Sequence, residues 1–504
     1  MLGVLGGCSL LLSVLFLFLL YLIYTVVNMA YVRSLYNGIP SPPLDNFWYG
    51  HQVTMVAAKK DNTFLDVFGA WTKEYGSSIM VFASFRNILF TVDPNMFKVV
   101  TSDLNSFSKL DDLPNRSLFG QRIAGWNSVL TGGGHNWAIK RKVMSKFFAK
   151  ANTSETFELC KPLIQNYVRS NLAGKVGKGQ VIELHNEFST IFSAYPAAVG
   201  LSGFDDPDTI GRNVSKILEM IPKQLGGKFS LTKLLFAVGK DKSETVDMVI
   251  EMRKRLKALT REKMQEIHSS DSAANHSDLL GLLIQANESC DFERDLLDEY
   301  VVDDILTIYL VMDNMVKQLA SLFIFLESEQ EVYRKMAREI RDFTLTDSSS
   351  LSQLRYTEQV LLESLRMAPA LLRGTRLLKT PDETPSRIGP YNLASGTQIH
   401  FSQYLIHHNE QTWRDPKKFD PERWSNGFQP EPYTYMPFLA GPRGCLGKHF
   451  AMMTMKLTLV SILQKFELIP KLNKEKRPTI DQGMAVMRIR NNVDYELIPL
   501  PHPA

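Results

Sequence analysis

The patterns in this sequence favour a mainly α-helical protein with small β-sheets and an N-terminal membrane-spanning helix. Residues 2–30 are almost wholly apolar and uncharged, and a second strongly apolar helix is predicted over residues 296–325. Helical patterns also dominate residues 152–263, where glycines interrupt them. Strand patterns are short, and the first two, at residues 79–83 and 87–92, are joined by a turn.

Length, charge and cysteine content restrict the possible classes of function. At 504 residues, the chain exceeds the usual size of one compact core. A formal net charge of +4 is too small to indicate a nucleic-acid partner. No glycine-rich dinucleotide or P-loop pattern occurs, so we infer no nucleotide site. The four cysteines (Cys8, Cys160, Cys290 and Cys445) have no framework spacing, which favours a reducing, cytosol-facing compartment.

The N-terminal apolar stretch is long enough to cross a membrane. It exceeds the roughly 20 residues that a spanning helix needs. A cleaved signal peptide is the competing interpretation, but the basic segment that opens such peptides is missing here. The first positive charge, Arg33, follows the apolar stretch, which predicts that the bulk of the protein faces the cytosol. We therefore expect a single-pass transmembrane anchor over residues 1–32.

After the anchor we expect a linker over residues 33–50 and one domain over residues 51–504. The linker contains a stiff, proline-rich hinge, Ile39-Pro40-Ser41-Pro42-Pro43. If the domain is cytosolic, five glycosylation sequons should stay unoccupied. These sequons begin at Asn115, Asn152, Asn213, Asn275 and Asn287.

Local signals place several further elements along the chain. A helical pattern ends at Gly76, and Asp93-Pro94 is expected to open another helix. The irregular segment at residues 104–130 has the composition of a binding loop. Residues 221–240 mix Leu, Phe and Lys, a composition that suits a loop at the membrane surface. Residues 268–278 are polar and are expected to form a solvated connection.

The stretch around Cys445 is the strongest functional signal. Cys445 lies between Gly444 and Gly447, follows Arg443, and precedes an apolar, Met-rich helical run. This composition suits a thiolate bound to the iron of a flat macrocycle, because a metal, backbone N–H groups or a helix N-terminus can lower a thiol's pKa. The arginine could donate to a propionate. Phe438 would keep the sulfur dry.

Two other interpretations of Cys445 account for less of the pattern. A buried cysteine in a glycine-rich turn is the usual role of a single free thiol, but it does not explain the complete spacing of Phe438, Gly441, Arg443, Cys445 and Gly447. A zinc site with His449 lacks the Cys or His cluster that would supply its remaining ligands.

The stretch from Phe438 to Gly447 resembles the haem-binding loop of the cytochrome P450 family, F-x-x-G-x-R-x-C-x-G, with every fixed position present. The resemblance implies haem b, with its iron held by the axial thiolate of Cys445. It also implies the P450-type fold behind an N-terminal anchor, a haem-thiolate catalytic domain over residues 51–504, and contacts to the cofactor from Phe438, Gly441, Arg443 and Gly447. The anchored members that it resembles are microsomal, which implies the endoplasmic reticulum membrane with a cytosolic catalytic domain.

Further motifs extend the resemblance along nearly the whole chain. Trp137 and Arg141, four residues apart on one predicted helix, match the family's propionate-binding helix, and Arg376 matches another propionate-binding arginine. Glu363-Ser364-Leu365-Arg366 and Pro421-Glu422-Arg423 match the segments that form a buried structural triad. The implied triad consists of Glu363, Arg366 and Arg423.

Lys140, Lys142 and Lys146 make the helix of Trp137 basic. A solvated surface is the usual interpretation of such a run. In this family, the run suggests a docking face for an acidic electron donor, here an NADPH-dependent cytochrome P450 reductase. Membrane lipid and a small lipophilic substrate are the other expected partners.

The long apolar helix departs from the family pattern at the oxygen-binding site. The family's [AG]-G-x-[DE]-T-[TS] aligns with Leu310-Val311-Met312-Asp313-Asn314-Met315. The acid is kept as Asp313, whereas Val311 replaces the glycine and Asn314 replaces the threonine. We expect Asp313 and Asn314 to be catalytic, because an amide can position a water and pass protons indirectly. Alternatively, Asn314 satisfies a backbone carbonyl at a helix distortion.

Thiolate ligation favours O–O cleavage and thus C–H hydroxylation. The expected reaction is hydroxylation or epoxidation of a lipophilic substrate (sterol, terpenoid or fatty-acid-like) with O2 and electrons from the reductase. Two alternatives stay open. One is a haem-thiolate isomerase or dehydratase that needs neither O2 nor reductase, and the other is a non-catalytic haem- or lipid-binding protein.

Overall fold

The computed structural model describes residues 2–84, 86–109, 125, 127–149, 153–176, 180–195, 244–269, 278–381, 384–471, 475–482 and 485–501. The predicted membrane-surface loop at 221–240 lies outside the described residues, as do most of the segment 104–130 and most of the connection at 268–278. The chain divides into two compact units. The first comprises Met1–Ser108 and Gly374–Ser402, and the second Lys109–Arg373 and Gln403–Ala504. A single domain over residues 51–504 therefore stays a prediction.

The first unit begins with the apolar helix. Its described helices are α1 (Leu2–Ser34), α2 (Gln52–Lys60), α3 (Phe64–Tyr75) and α4 (Pro94–Ser102). The segment Val14–Ser34 is long and apolar enough to cross a membrane, and only 6% of its most apolar window is buried. After α1, the proline-rich segment is held in place: the Pro40 carbonyl accepts from the Met80 N–H at 2.7 Å, and the Pro42 carbonyl is 2.9 Å from Nε2 of the buried His51.

A five-stranded sheet forms the rest of this unit. Its strand order is β1-β2-β8-β5-β3, from β1 (Ser78–Ala83), β2 (Arg86–Thr91), β3 (Phe107–Ser108), β5 (Gly374–Leu378) and β8 (Gln398–Phe401). β2 and β8 pair in parallel, and the other pairs are antiparallel. A separate hairpin pairs β6 (Ser386–Ile388) with β7 (Tyr391–Leu393).

The second unit is mainly helical. Its described α-helices are α5 (Gly134–Phe147), α6 (Thr153–Tyr167), α7 (Leu184–Ser193), α8 (Glu244–Ser269), α9 (Leu279–Glu288), α10 (Leu297–Ser328), α11 (Gln330–Asp342), α12 (Arg355–Met367), α13 (Gln403–His407) and α14 (Lys448–Leu463). Two small antiparallel sheets accompany them. One has the order β4-β12-β9, from β4 (Val181–Glu183), β9 (Phe466–Pro470) and β12 (Asp494–Pro499), and the other pairs β10 (Thr479–Ile480) with β11 (Ile489–Arg490).

The helix α10 lies in the hydrophobic core of the second unit. It has the length and hydropathy of a membrane span, but 72% of its apolar window is buried inside the protein. Its apolar side chains pack with those of α7, α12 and α14 in one large cluster. The prediction of a buried helix is therefore confirmed.

The predicted local elements of the first unit are also confirmed. The helix that ends at Gly76 is α3, and the two expected strands are β1 and β2, paired in register from Ser78 with Thr91 to Ala83 with Arg86. The Asp93 side chain caps α4 by accepting from the Asn95 N–H at 2.9 Å, and proline occupies the first turn. These signals act within a few residues, which is why they can be recognised without knowledge of the fold.

Candidate functional site

The loop before α14 holds Cys445 at a water-accessible position. The Cys445 N–H donates to the Phe438 carbonyl at 2.8 Å, and the Gly444 N–H donates to the Gly441 carbonyl at 2.9 Å. These two bonds fold the loop back on itself. The thiol stands three residues before the 16-residue helix α14, so it lies close to the positive end of the helix dipole.

The surroundings of Cys445 act on its pKa in opposite directions. Neighbouring protein atoms displace part of the water around the thiol, which raises its pKa, and this is the largest effect. The Gly447 N–H, which bonds to the sulfur, and the charges of Arg141 and Lys448 lower the pKa and offset part of that rise. Because these last groups stabilise the thiolate form, the site is suited to bind a metal through sulfur once the metal supplies the remaining stabilisation.

The other described cysteine side chains lack these features. Cys160 is buried in the apolar core, and burial raises its pKa to about 12. Cys290 is half-buried, its thiol donates to the Ala286 carbonyl at 3.1 Å, and burial raises its pKa.

The three glycines of the loop have different structural roles. Gly441 has φ of +71°, a conformation that side chains disfavour. A Cβ on Gly444 would lie 3.2 Å from the Gly441 carbonyl oxygen. Gly447 has φ of −86°, and a Cβ there would meet no protein atom within 4 Å. Neither the backbone conformation nor a neighbouring protein atom therefore explains a glycine at position 447. A bound group that comes close to this position would explain it.

Helix α5 meets the cysteine loop through two side chains. Arg141 Nη2 donates to the Gly444 carbonyl at 2.6 Å. The Arg443 guanidinium lies 3.7 Å from the centre of the Trp137 indole, a cation–π contact. The Trp137 Nε1–H donates to the Val129 carbonyl at 3.1 Å, so the indole already donates to the backbone rather than projecting alone toward an anion. The structure thus brings Trp137, Arg141, Arg443 and the Cys445 loop together.

One basic residue of α5 differs from its expected position. Lys142 and Lys146 are exposed, as expected of a docking face. Lys140 is fully buried and forms an ion pair with Asp304 at 2.9 Å. The inclusion of Lys140 in a solvated face was therefore wrong, because a carboxylate on α10 draws this ammonium into the protein.

The three residues of the implied triad lie together in the second unit. Glu363 accepts from Arg366 at 2.8 and 3.0 Å and from Arg423 Nε at 3.0 Å, and Glu363 and Arg366 are fully buried. Two further donors complete the site: Trp424 Nε1 at 2.9 Å and the Asp420 N–H at 2.9 Å. Sequence reasoning missed the role of Trp424, although the residue directly follows Arg423.

Arg376 belongs to the first unit, where it is buried on β5. Its Nη1 donates to the Thr375 carbonyl at 2.8 Å, and its guanidinium lies 5.6 Å from the centre of the Phe401 ring. Its expected contact with a propionate stays a prediction.

The residues of the oxygen-binding pattern lie in the middle of α10. Asp313 is buried and forms an ion pair with Lys317, one turn further along the helix. Asn314 is half-buried, and Val311 is 38% exposed although its neighbours along the helix are buried. Helix α10 runs without a break in its helical assignment from Leu297 to Ser328, through Asn314.

These residues fit a haem. A thiol with an N–H donor and nearby cations could supply one axial ligand, and the guanidiniums of Arg141 and Arg443 could bind carboxylates. In the part of the chain that the structure describes, no group of three or more His, Cys, Asp and Glu side chains could hold a metal ion. The described residues therefore offer no complete ligand set for the zinc alternative, whereas an iron already chelated by a macrocycle needs only one thiolate.

Comparisons with known proteins agree with this chemistry. The cytochrome P450 family model matches residues 40–497. The chain is 27% identical to cytochrome P450 3A29 of Sus scrofa over 419 residues, which cover 79% of this chain and 80% of that protein. It is 26% identical to cytochrome P450 3A7 of Homo sapiens over 429 residues (80% and 82%), and 26% identical to cytochrome P450 3A15 of Cavia porcellus over 467 residues (89% and 88%). Because the family model covers most of its length, the chain belongs to the cytochrome P450 family of monooxygenases, which bind haem iron through an axial cysteine thiolate.

Proposed function

We propose that this protein hydroxylates or epoxidises a lipophilic substrate of the sterol, terpenoid or fatty-acid type, with O2 and electrons from an NADPH-dependent cytochrome P450 reductase. The observation that carries the proposal is the Cys445 thiol, which is accessible at the head of α14, accepts the Gly447 N–H and lies in the field of Arg141 and Lys448. When bound, a haem with a thiolate ligand supplies the oxidising power for C–H hydroxylation.

The remaining site residues would hold the cofactor and exclude water. In this proposal Cys445 is the axial ligand, with Gly447 and Gly441 leaving room for the ring and Phe438 covering the sulfur. Trp137, Arg141 and Arg443 would set the environment of the propionates. Glu363, Arg366 and Arg423 would hold the loop without taking part in the chemistry.

The accessible position of Val311 on α10 supports the proposal that the substrate is apolar. Val311 offers an apolar side chain at an accessible position of an otherwise buried helix, and Asn314 is half-buried one turn away. In this proposal the Asn314 amide holds a water by donating one N–H and accepting at its oxygen. Asp313 would relay protons behind it: its carboxylate, held by Lys317, would take up a proton from solvent and pass it to that water.

The proposed location is the endoplasmic reticulum membrane, with α1 as a single anchor and the rest of the chain in the cytosol. The exposed apolar helix before Arg33 supports this location. The exposed Lys142 and Lys146 support an acidic redox partner on the cytosolic side.

The first test is replacement of the proposed ligand. In Cys445→Ala, the carbon-monoxide difference band of thiolate-ligated ferrous haem should disappear, because no sulfur remains in the loop. Cys290→Ala is the matched control and should keep the band, since that thiol is half-buried and already donates to a backbone carbonyl. A Cys445→Ala protein that keeps the band would contradict the proposal.

The second test separates monooxygenation from rearrangement. In Asn314→Ala, measured with reductase and NADPH, product per NADPH should fall and peroxide should rise, because the water that the amide holds is lost. Asn314→Thr restores a hydroxyl and should recover part of the coupling. Turnover that continues unchanged after removal of both O2 and NADPH would instead establish an isomerase, the reaction favoured by the replacement of glycine by Val311 and of threonine by Asn314.

A further inference from the structure

A carboxylate in the interior of the second unit is the centre of a buried polar cluster. The Asp304 side chain of α10 is fully buried. One carboxylate oxygen accepts from the Val129 N–H at 2.7 Å, and the other accepts from Lys140 Nζ at 2.9 Å and Asn287 Nδ2 at 3.0 Å. The cluster therefore ties α5, α9 and the segment before α5 to one point on α10.

The ammonium of this cluster is as deeply buried as the carboxylate. The Lys140 side chain is 1% exposed, donates also to the Asn127 carbonyl and lies 5.1 Å from the centre of the Phe292 ring. Removing two charges from water costs several kcal/mol per ion, and apolar replacements of a buried pair are often neutral or stabilising. Stability alone is therefore a weak explanation for this pair, and a positional role is the stronger one.

Two short paths lead from the pair to the cysteine loop. In the first, Val129 donates its N–H to Asp304 and accepts the Trp137 indole N–H at its carbonyl, and Trp137 packs against Arg443. In the second, the residue next to Lys140 is Arg141, which donates to the Gly444 carbonyl. The two paths end on the two residues that directly precede Cys445.

We propose that Lys140 and Asp304 are positioning residues for the haem site, which fix α5 and residues 127–131 on α10 so that Trp137 and Arg141 hold the cysteine loop in register. The proposal rests on the proposed role of Cys445. The hydrogen bonds and the ion pair of these two residues go to groups outside the loop. The pair acts through Val129, Trp137 and Arg141. Its effect is on how firmly the cofactor is retained and on the surroundings of the Cys445 thiolate.

The experiment compares three variants of the full-length holoprotein: Lys140→Met, Lys140→Met/Asp304→Leu and, as the matched control, Asp303→Asn. Asp303 is the neighbouring buried acid on the same helix, but its carboxylate pairs with Arg253 of α8. The readouts are haem transfer to apomyoglobin, the low-spin electron paramagnetic resonance spectrum and the thermal unfolding temperature. All three variants should keep the carbon-monoxide thiolate band, which distinguishes a failure of this proposal from a failure of the proposed function of Cys445.

We expect Lys140→Met to lose haem at least about tenfold faster, the scale of effect seen when partners of metal ligands are removed. The double variant should regain most of the unfolding temperature, because no unpaired charge stays buried, but it should keep the fast haem loss and a shifted resonance spectrum. Asp303→Asn should match the wild type in the rate of haem loss and in the resonance spectrum. Wild-type haem retention in the double variant would overturn the proposal and leave the pair a merely structural element.

If Lys140→Met or the double variant does not fold, Lys140→Arg provides the measurement. It keeps the charge but alters the reach of the side chain, so haem transfer should be faster than in the wild type with the thiolate band intact. Haem transfer at the wild-type rate in Lys140→Arg, together with a lowered unfolding temperature, would overturn the proposal.

Discussion

His407 links the buried triad to the segment that leads into the cysteine loop. Its ring is fully buried, its Nε2 accepts the Met436 N–H at 2.8 Å, and its Nδ1 faces the Arg366 carbonyl at 3.2 Å. Accepting at Nε2 requires a neutral ring, protonated only at Nδ1. Burial, His408 and the Arg366 guanidinium all lower the pKa of His407 well below its ordinary value.

This geometry predicts an acid destabilisation with a defined sign. Because the unfolded chain binds a proton at His407 near pH 6.5 and the folded chain does not, the free energy of unfolding should fall as pH drops below about 6.5. The slope is at most about 1.4 kcal/mol per pH unit for one histidine. Denaturant unfolding of the holoprotein between pH 5 and 8 measures it.

The control for this prediction uses the adjacent histidine. Burial lowers the pKa of His408 to about 4, so it contributes a second proton over the same range. His407→Gln keeps an acceptor and a donor without a titrating ring and should remove one proton from the dependence, and His408→Gln should remove the other. An unchanged pH dependence in His407→Gln would show that this ring does not titrate on unfolding.

At the scale of the residue, sequence reasoning succeeded where a motif fixes both partners. Glu363, Arg366 and Arg423 were expected together, and they lie together. It failed for Lys140, because lysine on a helix is usually solvated and its acidic partner is 164 residues away in the sequence. Asn287 was noticed only as a sequon. No local pattern distinguishes a buried amide that bonds to Asp304 from an exposed one.

At the scale of the element, local signals were sufficient for several of the described elements, among them α3, β1, β2 and α4. The cap at Asp93 and the apolar length of α10 needed no tertiary information. The pairing of β2 with β8 joins strands that are more than 300 residues apart in the sequence. A local sequence pattern does not indicate which distant strand will pair with it.

The proposed anchor role of α1 gives a prediction at this scale. Deletion of residues 2–32 should release the protein from the membrane pellet after a carbonate wash, because the remaining chain has lost its exposed apolar helix. The deletion keeps Arg33, whose guanidinium lies 5.0 Å from the centre of the Phe47 ring and 5.4 Å from that of Phe82. Retention of the thiolate band would show that the shortened protein is folded. If the protein expressed from the full-length sequence lacks these residues when it is isolated from cells, they are instead a cleaved signal peptide.

At the scale of the whole molecule, the charges around α1 support the proposed orientation of the chain across the membrane. The apolar helix carries no charge before Arg33, and the basic residues lie on its C-terminal side. The native sequon at Asn287 does not report this orientation alone. The side chain is fully buried, and its Nδ2 donates to Leu283 and Asp304. A glycan at Asn287 would break these contacts, so this sequon reports folding as well as orientation.

An exposed acceptor gives a sharper test of orientation. Asn392 is exposed on the β6–β7 hairpin, and Ala394→Thr would complete a sequon there. If the catalytic domain faces the cytosol, neither the wild type nor Ala394→Thr should change mobility after glycosidase treatment of cell membranes, because oligosaccharide transfer takes place in the lumen. Protease added to sealed microsomes should then digest everything beyond α1. A glycosidase-sensitive shift in Ala394→Thr, with the bulk of the chain protected from protease, would place the domain in the lumen and separate it from any cytosolic NADPH-dependent reductase.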